Sequence, residues 1–154
     1  MNRFTRFSAL ALPLLATTAG LAQATDPVPP AVAADLAVSA YVTHIADTTL
    51  SPEQVSGLKS IAHQKATAFS CEAFDIDDAK YQEAFAAVYP PAAEFDVKPE
   101  ADQLKLHSIV MVTLGSYMGS QLTLASMDTA AFCANAEEER ADPAAPGLIW
   151  AAKP

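Results

Sequence analysis

Positive charge is scarce in this chain. Its 154 residues include nine Lys and Arg against 18 Asp and Glu, and Arg140 is the only arginine beyond residue 6. Binding to nucleic acid and docking on anionic lipid both need clustered basic side chains, so the sequence disfavours both. The acidic excess suits a solvated surface or a protein partner that carries positive charge.

Cysteine is also scarce, with only Cys71 and Cys133 in the chain. There is no Cys-x-x-Cys pair, which argues against a thioredoxin-type oxidoreductase, and no Cys-x-x-Cys-His, which rules out standard c-type haem attachment. The first 24 residues contain no cysteine, which excludes a lipoprotein anchor. Two cysteines in an exported protein most simply form one disulfide, so we predict a bond between Cys71 and Cys133.

Long apolar runs are missing beyond the first 24 residues. The most apolar later stretch, 109–125, contains seven Gly, Ser, Thr and Gln residues. A membrane-spanning helix needs about 20 mostly apolar residues. We therefore predict no membrane span and interpret this stretch as part of a buried helix, with a strand over 109–114 as the alternative.

The first 24 residues have the pattern of a secretory signal peptide. Arg3 and Arg6 provide a basic start, an apolar stretch follows, and Ala22 and Ala24 are the small residues that precede a cleavage point. We predict cleavage after Ala24 and export, to the periplasm if the source is bacterial and by secretion otherwise. Loss of the two arginines leaves seven basic and 18 acidic residues, a net charge of −11.

Helical periodicity accounts for most of the remaining chain. Residues 25–154 are predicted to form a single all-α domain, a compact bundle of four to five helices with one disulfide, ending in a Pro-rich tail at 141–154. No stretch resembles a known family closely enough to assign one. The predicted helices cover 31–47, 52–70, 75–89, 99–127 and 129–140, and residues 92–98 are predicted to be a loop.

The second of these helices has the clearest local signal. The run Ser51-Pro52-Glu53-Gln54 predicts a capping box with proline at the first helical position. In the third helix, Phe85 and Tyr89 are assigned to the buried face, and Pro90-Pro91 stops the helix.

The long helix at 99–127 is apolar on two sides. Leu104 and Met111 belong to one stripe, and Val110 belongs to another. A helix that is apolar on several sides is usually central and buried, so both stripes are predicted to lie in the core. Gly115 and Gly119 allow another backbone to approach closely, and they weaken the helix enough to predict a kink near Gly119.

Known catalytic and metal-binding motifs do not match the sequence. Ser116 is the second residue of its Gly-Ser-x-x-Gly run, not the third residue of a hydrolase elbow. A calcium loop starting at Asp75 lacks the required Gly and Glu. His44, His63 and His107 lie on three different predicted helices, so a zinc or copper site needs the fold to bring them together. We predict no catalytic residue, metal site or cofactor.

Three classes of function remain. The best fit is a protein-interaction module (a binding, inhibitor, immunity or chaperone-like protein), which an exposed apolar groove beside acidic residues would favour. Its predicted contact residues are Glu137, Glu138 and Glu139 with Trp150, which we expect to dock back on the helical body. The alternatives are a small-ligand or metal carrier, which needs an apolar cavity or converging histidines, and an enzyme, which needs a polar cleft with paired perturbed groups.

Overall fold

The computed structural model describes residues 28–46, 48–145 and 147–151. These ranges are all-α, as predicted, and contain no strand; their one β-type pairing is an isolated antiparallel bridge between Ile76 and Trp150. The predicted signal peptide at 1–24 lies outside the described residues. The helices are α1 (Pro30–Ala46), α2 (Pro52–Ser70), α3 (Asp78–Ala86), α4 (Ala92–Phe95), α5 (Glu100–Met127) and α6 (Thr129–Ala141).

Helix α4 raises the count to six, one more than the largest number predicted. Glu94 and Phe95 donate their backbone N–H groups to the carbonyl of Pro91, at 2.8 and 3.0 Å, where the sequence predicted a loop. Phe95 packs against the main core of the protein. A tertiary contact therefore stabilises this single turn, and four residues are too few to show a helical period.

The predicted capping box is present at the start of α2. The Ser51 hydroxyl accepts a hydrogen bond from the Gln54 N–H at 3.3 Å, and Gln54 Oε1 accepts one from the Ser51 N–H at 2.7 Å. Pro52 occupies the first helical position. Hydrogen bonds from the Ser51 side chain and from the residue's own N–H hold the pKa of Glu53 below its ordinary value. Helix α2 begins and ends where the sequence predicted, at Pro52 and Ser70.

The main core forms where α1 and α2 pack against α5, and the contact between α2 and α5 is the largest between any two helices described. Helix α5 is continuous over 28 residues, so the predicted break near Gly119 and the alternative strand at 109–114 are both wrong. The buried residues of the main core are Val42, Ala46, Leu50, Leu58, Ile61, Ala62, Val88, Leu106, Val110, Leu114, Tyr117 and Ile149.

Only one of the two apolar stripes of α5 is buried. Val110 has no exposed surface, whereas Leu104 and Met111 are 59% and 46% exposed. The prediction that both stripes lie in the core is therefore wrong for Leu104 and Met111. The reason is geometric: the other helices pack against one side of α5, and none of the described residues covers the opposite side at Gly115 or Gly119 within 4 Å.

A second core, formed by Cys71, Phe74, Ala136 and Trp150, lies where α2 ends against α6. The predicted disulfide between Cys71 and Cys133 is present there, with the two Cα atoms 5.7 Å apart. Cys71 is the residue that follows α2, and Cys133 lies on α6. The disulfide therefore joins the end of one helix to the middle of another.

Trp150 docks on the helical body, as expected, and closes the second core. Its side chain is 3% exposed and meets the Phe74 ring edge-on, with the centroids 4.7 Å apart. The indole N–H donates to the backbone carbonyl of Gln64 at 3.0 Å, and the Ile149 N–H donates to Gln64 Oε1 at 2.6 Å. The segment 147–151 is thus an integral part of the fold.

Candidate functional site

A surface cleft of about 750 Å³ opens between the end of α3, α4 and the first half of α5. This volume lies within the range of small-molecule and peptide-anchor pockets, roughly 300–1,000 Å³. We call it the aromatic cleft, because rings make up much of its wall. Its lining residues are Phe85, Ala86, Tyr89, Pro90, Ala92, Phe95, Asp96, Glu100, Gln103, Leu104 and His107.

Tyr89 is the centre of the aromatic wall. The rings of Phe85 and Phe95 meet it edge-on, with centroids 5.6 and 5.8 Å away, and the His107 ring stacks against it at 6.1 Å. Such edge-to-face and stacked pairs stabilise one another beyond the area they bury. The wall is therefore held in place before any ligand binds.

Local sequence brings these rings together. Phe85 is the penultimate residue of α3, and Pro90 and the proline that follows it prevent the helix from continuing. The chain turns, and α4 brings Phe95 back against Tyr89. Helix α5 then places His107 two turns beyond its first residue, beside the same ring.

Tyr89 and His107 also share a hydrogen bond, with 2.8 Å between Oη and Nδ1. Burial, with a smaller contribution from nearby Tyr81, raises the pKa of Tyr89 above its ordinary value. The hydroxyl is therefore protonated across the neutral range. When it donates to Nδ1, the neutral His107 ring carries its own proton on Nε2.

Asp96 and Glu100 place two exposed carboxylates in the lining of the cleft. Leu104, beside them, presents a largely exposed apolar side chain. Aromatic faces attract apolar groups and cations, and carboxylates attract cations. The cleft therefore suits a group that is apolar with positive charge close by. It contains no serine, threonine or cysteine nucleophile beside His107.

The predicted contact residues lie away from this cleft, at the second core. Glu137 forms an ion pair with Arg140, and Glu139 Oε2 lies 2.9 Å from the Nε2 of His63. Glu138 is the only exposed one of the three glutamates, and Trp150 is buried. In this conformation the four residues do not form one exposed surface.

The three histidines do not converge. His44 is exposed on α1, His63 contacts Gln121 and Glu139 at the second core, and His107 lies at the aromatic cleft. Within the described ranges, no group of three or more His, Cys, Asp or Glu residues is placed to hold a metal ion. The metal carrier that the sequence left open required such convergence.

Sequence reasoning missed the aromatic cleft. It assigned Phe85 and Tyr89 to a buried helix face and placed Phe95 in a loop. The available signal was the pair of prolines between aromatic residues, because Pro-Pro forces a turn that can fold the two sides together.

The chain matches no family model, no curated protein and no solved structure. None of the helices in the described ranges has the length and apolar character needed to cross a membrane.

Proposed function

We propose that this protein is an exported protein-interaction module that binds an apolar, positively charged segment of a partner in the aromatic cleft. One observation carries the proposal: an exposed apolar cleft lies directly beside acidic side chains. The aromatic wall and Leu104 provide apolar surface to bury, and Asp96 and Glu100 provide charge complementary to Lys or Arg.

The charge of the whole chain supports the same kind of partner. The sequence carries a net charge of −9, or −11 once the predicted signal peptide is removed. A strongly acidic protein attracts basic partners over long range and raises their encounter rate, whereas apolar burial determines how long the complex lasts. Binding in the cleft should therefore weaken with salt mainly through slower association.

Export is part of the proposal. The basic and apolar start of the chain has the pattern of a signal peptide. A disulfide between Cys71 and Cys133 suits an oxidising compartment outside the cytoplasm.

The test uses residues 25–154 and a random peptide display library. Peptides selected on the protein should combine an aromatic or aliphatic residue with Lys or Arg. Leu104→Glu and Glu100→Lys change exposed lining positions and should each weaken the selected peptides at least tenfold. Val97→Glu and Asp102→Lys are matched controls, because both positions are exposed but neither lines the cleft. Peptides that bind Leu104→Glu as tightly as the unmodified protein would contradict the proposal.

A small apolar ligand is the second candidate, favoured by the cleft volume alone. An environment-sensitive apolar dye separates the two. If the dye binds with one-to-one stoichiometry, is lost in Leu104→Glu and is not displaced by any selected peptide, the cleft belongs to a ligand carrier. Displacement by basic, apolar peptides supports the interaction module.

A further inference from the structure

Helix α5 has a second exposed surface that neither the core nor the aromatic cleft uses. We call it the uncharged face and define it by Met111, Val112, Gly115, Gly119 and Leu122, with Phe69 of α2 at its edge. No charged residue and no histidine occurs between residues 108 and 127, although 18% of the whole chain is charged. Such a long uncharged exposed face is unusual for a chain of this charge.

Large apolar side chains on this face are open to solvent. Met111 and Val112 are both 46% exposed, and Phe69 is 79% exposed. Phe69 and Leu122 line the same shallow hollow, so the apolar surface continues from α5 onto the end of α2. An aromatic side chain this exposed beside aliphatic ones is the usual composition of a protein interface anchor.

The two glycines have no role inside the molecule. Gly115 and Gly119 are helical, and a Cβ atom added at either position would meet nothing within 4 Å. Neither has a positive φ; among the described glycines that conformation belongs to Gly147. Glycine destabilises a helix relative to alanine, so the fold alone would be better served by alanine at both positions. A second helix backbone that crosses α5 at this point would use them both.

We propose that the uncharged face binds the same face of a second copy of this protein. Two copies that each carry a net charge of −9 repel one another over most of their surfaces. An uncharged face is where they can meet without opposing carboxylates. A basic partner, by contrast, would gain nothing here from the acidic charge of the chain, and its complement is the aromatic cleft.

The shape of the face also suits a two-fold contact. Small residues lie in the middle, at Gly115 and Gly119, and larger apolar ones lie on either side along the helix, at Met111 and Leu122. A two-fold axis through the glycine pair places the small positions of the two copies against each other.

The area of the face determines the strength of the complex. Residues 108–127 form about 30 Å of helix, and a strip about 10 Å wide along them covers about 300 Å². With the exposed ring of Phe69 included, two copies bury roughly 800 Å² in total. This is small for a specific interface, so the dimer is reversible, with a micromolar dissociation constant.

Sedimentation velocity on residues 25–154, from low to several hundred micromolar, provides the test. Gly115→Leu should weaken dimerisation at least tenfold, yet it should raise the melting temperature measured at monomeric concentrations, because leucine is the better helix former. Phe69→Ala should also weaken the dimer without unfolding the monomer, since that ring is largely exposed. The control Ser56→Leu adds the same side chain at an exposed position of α2 and should leave the dimer unchanged.

A chain that stays monomeric over the whole concentration range overturns the proposal. So do dissociation constants for Gly115→Leu and Phe69→Ala within twofold of that of the unmodified protein. Glu100→Lys, which alters the aromatic cleft, should dimerise normally, so failure of one proposal is distinguishable from failure of the other.

Discussion

Replacing Trp150 with alanine should destabilise the protein more than any other single change in the second core. The side chain is almost fully buried against Phe74, and its indole N–H donates to the Gln64 carbonyl. Truncating a buried aromatic residue to alanine costs about 3–5 kcal/mol of unfolding free energy. Trp150→Phe keeps most of the apolar surface and loses the hydrogen bond, so it should cost about 1–2 kcal/mol.

These free energies translate into measurable melting temperatures. For a domain of this length, each kcal/mol shifts the midpoint by about 4 °C, so Trp150→Ala should lower it by roughly 12–20 °C and Trp150→Phe by about 4–8 °C. Far-UV circular dichroism is the suitable probe, because Trp150 is the only tryptophan in the chain. In the unmodified protein, its fluorescence should be blue-shifted in the native state and move to the red on unfolding.

The matched control is Phe69→Ala, which truncates an aromatic ring that is 79% exposed and should shift the midpoint by no more than a few degrees at monomeric concentrations. If Trp150→Ala melts with Phe69→Ala rather than far below it, the docking of 147–151 does not stabilise the fold. Native fluorescence typical of tryptophan in water would contradict the docking itself.

Four further outcomes are expected. Ser51→Ala should lower the unfolding free energy by about 1 kcal/mol, measured by urea denaturation, because it removes the α2 cap; an unchanged midpoint would contradict this. Leu114→Ala should cost about 2–5 kcal/mol in the same assay, since Leu114 is 7% exposed in the main core. Replacing Cys71 and Cys133 together by serine should cost up to about 4 kcal/mol, from loop entropy over a separation of 62 residues; mass spectrometry of unreduced protein should find no free thiol. Tyr89 should titrate last among the tyrosines by ultraviolet absorbance; because its pKa is raised on folding, its contribution to stability is present below pH about 10 and is lost as pH rises beyond that.

Local signals in the sequence predicted local structure well. The capping box placed the start of α2 correctly, since its hydrogen bonds lie within four consecutive residues. Asp128, which follows α5, accepts a hydrogen bond from the Ala131 N–H and caps α6, one of the two caps that the sequence proposed. Two cysteines were enough to predict the disulfide, because there was only one way to pair them within the chain.

Features that depend on which elements are neighbours were not predictable in the same way. Helical periodicity identified both apolar stripes of α5, yet it carries no information on whether a neighbouring helix covers Met111 as well as Val110. The aromatic cleft needs Phe85, Phe95 and His107 from three separate elements, and the periodicity of a single element does not show that they meet. The sequence predicted what each segment is made of, and the packing determined which surfaces stay open.

The docking of 147–151 also determines when the fold can be completed. Gln64 of α2 receives the Ile149 N–H from 85 positions further along the chain. During synthesis α2 is finished long before that partner exists, and closing so long a loop is slow compared with forming helices. A chain that stops short of residue 149 leaves Phe74 without its ring partner and the buried Gln64 amide open to water. A protease can therefore distinguish an unfinished chain from a finished one at this end of the molecule, through its lower local stability.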